Sequence, residues 1–101
     1  MKTNNMAIDH HKKAIYSTIA THPGEVLKDE IEAHELVKSE VAQHLGIQPS
    51  HLSEFFKGKR NMSAALAVKL EDYLGISAEF WLTLQNRHDI TLIRQMKYEH
   101  A

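Results

Sequence analysis

The chain has 101 residues, 43% hydrophobic and 25% charged, with a net charge of −1 when its eight histidines are neutral; this is one globular domain's worth of chain and excludes disorder throughout. The absence of cysteine excludes disulfides and thiolate chemistry. The longest apolar run, Ala64 to Val68, falls far short of a ~20-residue membrane span, and no leader with a cleavage site is visible, so a cytoplasmic protein without a membrane partner is expected.

The punctuation is that of helices, with two prolines, four glycines and no hairpin dipeptide. Residues 1–21 read as an N-terminal extension, a weak helix or a mobile arm, in which Ile8, Ile15 and Ile19 share a face interrupted by Lys12. Residues 22–101 read as the domain proper. Pro23 suits a first helical turn, and Glu25, Asp29 and Glu30 place negative charge towards that helix's start. A first helix is expected over about 23–34, with Val26, Leu27 and Ile31 inward. The second runs from about Lys38 to Leu45, buries Val41, Ala42 and Leu45, and stops at Gly46. The third starts at Pro49 and ends before Gly58, with Leu52, Phe55 and Phe56 as its apolar stripe. Ser63 caps a fourth that reaches Leu74 and stops at Gly75; Ser77 caps a fifth, where Phe80, Trp81, Leu82 and Leu84 open an apolar segment extending through Ile90, Leu92, Ile93 and Met96.

Two short helices joined by Gly46-Ile47-Gln48 describe a helix-turn-helix, in which the second helix enters the DNA major groove. The outward face of the third helix fits that use. Gln48, Ser50, His51, Ser53 and Glu54 are polar groups short enough to face bases; Lys57, Lys59 and Arg60 follow where phosphates would lie, and Lys38 stands at the start of the supporting helix. Charge is distributed accordingly: residues 47–62 carry a net +2, whereas 23–46 carry −4.

The run from Val41 to Ile47 and from Leu52 to Arg60 resembles the phage-repressor-like helix-turn-helix family. The flanks narrow the likeness. His22-Pro23-Gly24-Glu25-Val26-Leu27 resembles the opening motif of HigA-type antitoxins, and Gly75 through Gln85 resembles their closing motif. The resemblance implies an all-α, five-helix domain that is not an enzyme and needs no cofactor. It also implies a dimer that represses its own operon at a palindromic operator in double-stranded DNA, and that neutralises a cognate toxin, a RelE-like mRNA endonuclease. The sequence departs from the family where Val37 and Gln48 occupy N-cap positions often held by serine, and where Glu54 replaces a common arginine; a carboxylate there repels phosphate but accepts from cytosine N4.

Dimerisation is expected through the fifth helix, using Phe80, Trp81, Leu84, Ile90 and Ile93. Toxin binding is expected in the extension, anchored by Met6, Ile8, Ile15, Tyr16 and Ile19, with the acids of the first helix steering a basic partner. A stand-alone repressor without a toxin is the alternative. The histidine pairs His10 with His11, His44 with His51 and His88 with His100 lack metal-site spacing, so no metal is expected. No phosphate loop or nucleophile motif supports an enzyme.

Overall fold

A computed structural model describes residues 21–99, which hold five helices and no strand: α1 Pro23–Ala33, α2 Lys38–Leu45, α3 Pro49–Phe56, α4 Ala64–Leu74 and α5 Ala78–Glu99. The boundaries follow the sequence signals within a residue or two. None of these helices is long and apolar enough to cross a membrane.

The start of α1 is built by three consecutive residues. His22, in extended backbone, caps the helix, its Nδ1 accepting from the Gly24 N–H at 2.9 Å. Pro23 takes the first turn, where a missing N–H costs nothing. Gly24 lies against the end of α3: a Cβ there would overlap the Phe55 carbonyl oxygen and sit 2.7 Å from its carbon. Only glycine permits that approach. Of the acids expected to favour this helix start, only Glu25 lies in the first turn. Asp29 and Glu30 are too far along, because the dipole effect fades within a turn.

Helices α1, α2 and α3 end the same way, with paired bonds that satisfy two otherwise free carbonyls. In α1 the Glu35 and Leu36 N–H groups donate to Glu32 and Ile31; in α2 those of Gly46 and Ile47 donate to Gln43 and Ala42; in α3 those of Gly58 and Lys59 donate to Phe55 and Glu54. Each needs one left-handed residue. Gly46 (φ 69°) and Gly58 (φ 77°) supply it freely, but α1 uses Glu35 at φ 54°. A side chain there costs roughly 1–2 kcal/mol. By contrast, Val37 and Gln48 make no side-chain capping bond, as their residue types predict.

All five helices contribute to one core: Leu27 and Ile31; Val41, Ala42 and Leu45; Leu52 and Phe55; Leu66, Ala67 and Leu70; Ala78 and Trp81, with Met62 from the α3–α4 loop. Trp81 lies in the middle of it, 0% exposed within a single chain. The expectation that Trp81 anchors a dimer is therefore corrected. The first turns of α5 pack on α4, which turns Ala78, Trp81 and Gln85 inward together.

Candidate nucleic-acid interface

The α2–turn–α3 unit is held by Ile47, half-buried against the core, and by Lys69 of α4, whose ammonium donates to the Leu45 carbonyl at the end of α2 (3.1 Å). With its apolar stripe packed inward, α3 presents Ser50 and Ser53 to solvent, with His51 and Glu54 half-buried beside them. Gln48, free of any capping bond, is exposed at the leading end of α3. At the other end the closing bonds of α3 reverse the chain, so that Lys57, Lys59 and Arg60 are all exposed within one turn of the helix terminus. Lys38 is exposed at the start of α2, its ammonium 5.7 Å from the centre of the Phe56 ring.

Two of the expected DNA-facing groups pair with each other. Arg60 Nε donates to Glu54 Oε1 at 2.7 Å. That hydrogen bond and the guanidinium charge hold the Glu54 carboxyl below its usual range. The Glu54 carboxylate is thus partly neutralised by the chain itself.

The loop after Arg60 is fixed from α5. Gln85, buried at 5% exposure, accepts from the Met62 N–H (2.6 Å) and donates to Asn61 Oδ1 (3.3 Å) and Asp89 Oδ1 (3.0 Å). Neither Asn61 nor Gln85 stood out as a site residue in the sequence; the only signal was Gln85 at the end of the closing motif. His22 was likewise missed. Its ring meets Phe55 at the end of α3 (5.4 Å between centroids) and His88 of α5 (4.9 Å), and lies under Gly58. Burial, then the nearby His88, holds His22 below the usual histidine range, against the opposing influence of a hydrogen bond with the Arg60 backbone and of Glu25 and Asp89.

The acids of α1 do form a surface. Glu25, Asp29 and Glu32 line an open cleft of about 540 Å³ with Lys28, Lys57 and His88. Glu30 instead pairs with His34 at 3.3 Å. No three His, Cys, Asp or Glu side chains among the described residues gather to hold a metal, and His44 stacks on Tyr73 at 4.4 Å.

Of the residues expected at a dimer interface, Phe80, Ile90 and Ile93 are exposed, Leu84 is half-buried and Trp81 is not available. Phe80 and Ile93 point roughly 140° apart around the helix, so they do not belong to one face. A tighter exposed apolar set is Ile90, Ile93 and Met96, within about 120° of one another in the half of α5 that runs beyond the core, with Leu92 exposed at its edge. Met6, Ile8, Ile15, Tyr16 and Ile19 lie outside the described residues.

Fold and face together define a helix-turn-helix DNA-binding domain. Residues 27–81 match the helix-turn-helix family pattern, and the chain belongs to that family; its members are DNA-binding regulators, not enzymes. Virulence-associated protein I of Dichelobacter nodosus is 33% identical over 84 residues, covering 77% of this chain and 73% of that protein. An addiction-module antidote protein of the HigA family from Coxiella burnetii superposes with a TM-score of 0.72 at 30% identity, over 79% of this chain and 88% of that one. The Pseudomonas aeruginosa antitoxin HigA, solved with the higBA promoter, superposes with a TM-score of 0.72 at 26% identity, over the same shares. The five-helix fold expected from the sequence is that of these antitoxins.

Proposed function

We propose that this chain is a HigA-type antitoxin: a cytoplasmic DNA-binding protein that represses its own operon as a homodimer and neutralises a RelE-like mRNA endonuclease. The observation that carries the reading is the exposed polar face of α3 running into Lys57, Lys59 and Arg60, in a fold shared with an antitoxin solved on its promoter. Gln48, Ser50, His51 and Ser53 face the bases in this reading. Glu54 orients Arg60, while Lys38, Lys57, Lys59 and Arg60 meet phosphates.

A single helix-turn-helix reads few base pairs, so affinity comes from two half-sites about one helical turn, ~34 Å, apart on a palindrome. The exposed stripe Ile90, Ile93 and Met96 is the surface we assign to the dimer contact, with residues 22–101 as the folding unit. Residues 1–21 form the toxin-binding extension, anchored by Met6, Ile8, Ile15, Tyr16 and Ile19. The acids lining the α1 cleft raise the rate of encounter with a basic toxin.

Two measurements test the reading. Replacing Lys59 and Arg60 by alanine should weaken binding to all duplexes alike and lower the salt slope by about one per lost phosphate contact; an unchanged slope refutes the face. Co-expression with the small reading frame beside the gene, followed by pull-down, should recover a toxin complex that is lost when residues 1–20 are removed. Recovery of no partner leaves the stand-alone repressor as the function, and a truncated chain that retains toxin refutes the extension as anchor.

A further inference from the structure

We infer that Asn61 is a further contact to the DNA backbone, and that Gln85 of α5 is the positioning residue that turns its amino group outward. The inference rests on the reading of the Lys57–Arg60 face as the DNA side. The two ends of an amide side chain have the same shape, so their orientation must be decided by partners whose roles are fixed. Here both are. The Met62 backbone N–H can only donate, so the Gln85 atom 2.6 Å from it is the oxygen. The Gln85 nitrogen then faces Asp89 Oδ1, an acceptor, at 3.0 Å.

The remaining Gln85 N–H points to Asn61 at 3.3 Å, and only the Asn61 oxygen can accept it. The orientation is thus passed from a carboxylate on α5 to a side chain beside Arg60. It leaves the two N–H donors of Asn61 Nδ2 on the far side of the amide, on an exposed residue. Asn61 is also well fixed. Its neighbour Met62 is buried in the core, and Gln85 is too buried for water to compete. A neutral, preorganised donor next to two cations suits a phosphate oxygen, the group that receives most protein–DNA hydrogen bonds.

The test uses the full chain and two duplexes: one the protein selects from a random-sequence pool, and a scrambled control. Asn61→Ala lies at the surface and leaves the core intact. It should weaken binding to both duplexes about tenfold, the scale of a hydrogen bond to a charged group, with the salt slope unchanged because a neutral contact releases no counterion. Gln85→Glu, made together with Asp89→Asn so that two carboxylates do not meet at 3.0 Å, still accepts from Met62 but cannot donate, so Asn61 turns its Nδ2 inward. It should show the same loss, and the double variant that combines this change with Asn61→Ala should lose no more than either alone. Such non-additivity is a readout that simple destabilisation does not give. Wild-type affinity in Asn61→Ala, or losses that multiply in the double variant, overturns the inference. If Lys59 and Arg60 can be replaced in this assay without loss, the DNA face itself is wrong and the inference falls with it; loss there but none at Asn61 overturns the inference alone.

Discussion

Replacing His22 by alanine removes two things at once. The Gly24 N–H loses its capping acceptor, worth about 1 kcal/mol. A ring that is 2% exposed and packed between Phe55 and His88 leaves a cavity, which for larger apolar side chains costs roughly 2–5 kcal/mol. The imidazole sits low in that range, because its Nε2 is buried without a well-formed hydrogen bond. The total expected at neutral pH is about 2–3 kcal/mol. The loss depends on pH with a definite sign. Burial holds the His22 pKa below the ordinary value of 6.5, so on acidification the unfolded chain takes up the proton first. The contribution is complete above pH 6.5 and declines as pH falls from there towards the folded-state pKa. Protonated Nδ1 also cannot accept from Gly24. Urea unfolding of the wild type and His22→Ala at pH 7.5 and 5.5 should therefore show a gap that narrows at the lower pH. A gap that stays constant, or a variant as stable as the wild type, would refute the assignment of His22 as a buried, neutral cap.

Glu35→Gly should raise stability by about 0.5–1 kcal/mol, since it relieves a left-handed side chain at a cost in unfolded-chain freedom; a thermal melt that shows no gain or a loss would contradict the strain. Trp81→Ala should cost about 3–5 kcal/mol and lower the stability of the isolated chain, because the residue belongs to the core. Ile93→Glu, on the exposed stripe, should instead dissociate the dimer while helicity is kept, which light scattering beside circular dichroism distinguishes. Helicity lost in Ile93→Glu at a concentration where Trp81→Ala remains folded would reverse the two roles.

Local chemistry was enough to place the helices of this protein. Pro23 and Pro49 act through their own fixed backbone angle and missing N–H, and Gly46, Ser63, Gly75 and Ser77 through bonds to residues a few positions away, so the boundaries of α1 to α5 were legible without any tertiary information. The polar run along α3 and the basic residues after it were legible for the same reason, as was the poor capping by Val37 and Gln48. Tertiary contact decided the rest. Gly24 is required by the Phe55 carbonyl, 31 positions away in sequence but in contact in space, and no local pattern reports that. Trp81 has the composition of either a core or an interface anchor; only the packing of α5 on α4 assigns it to the core. Glu54 and Arg60 looked like independent DNA-facing groups until the reversal at Gly58 brought them within 2.7 Å. Gln85 and Asn61 carry no signal by residue type, since an amide's role depends on which donors and acceptors the fold sets around it.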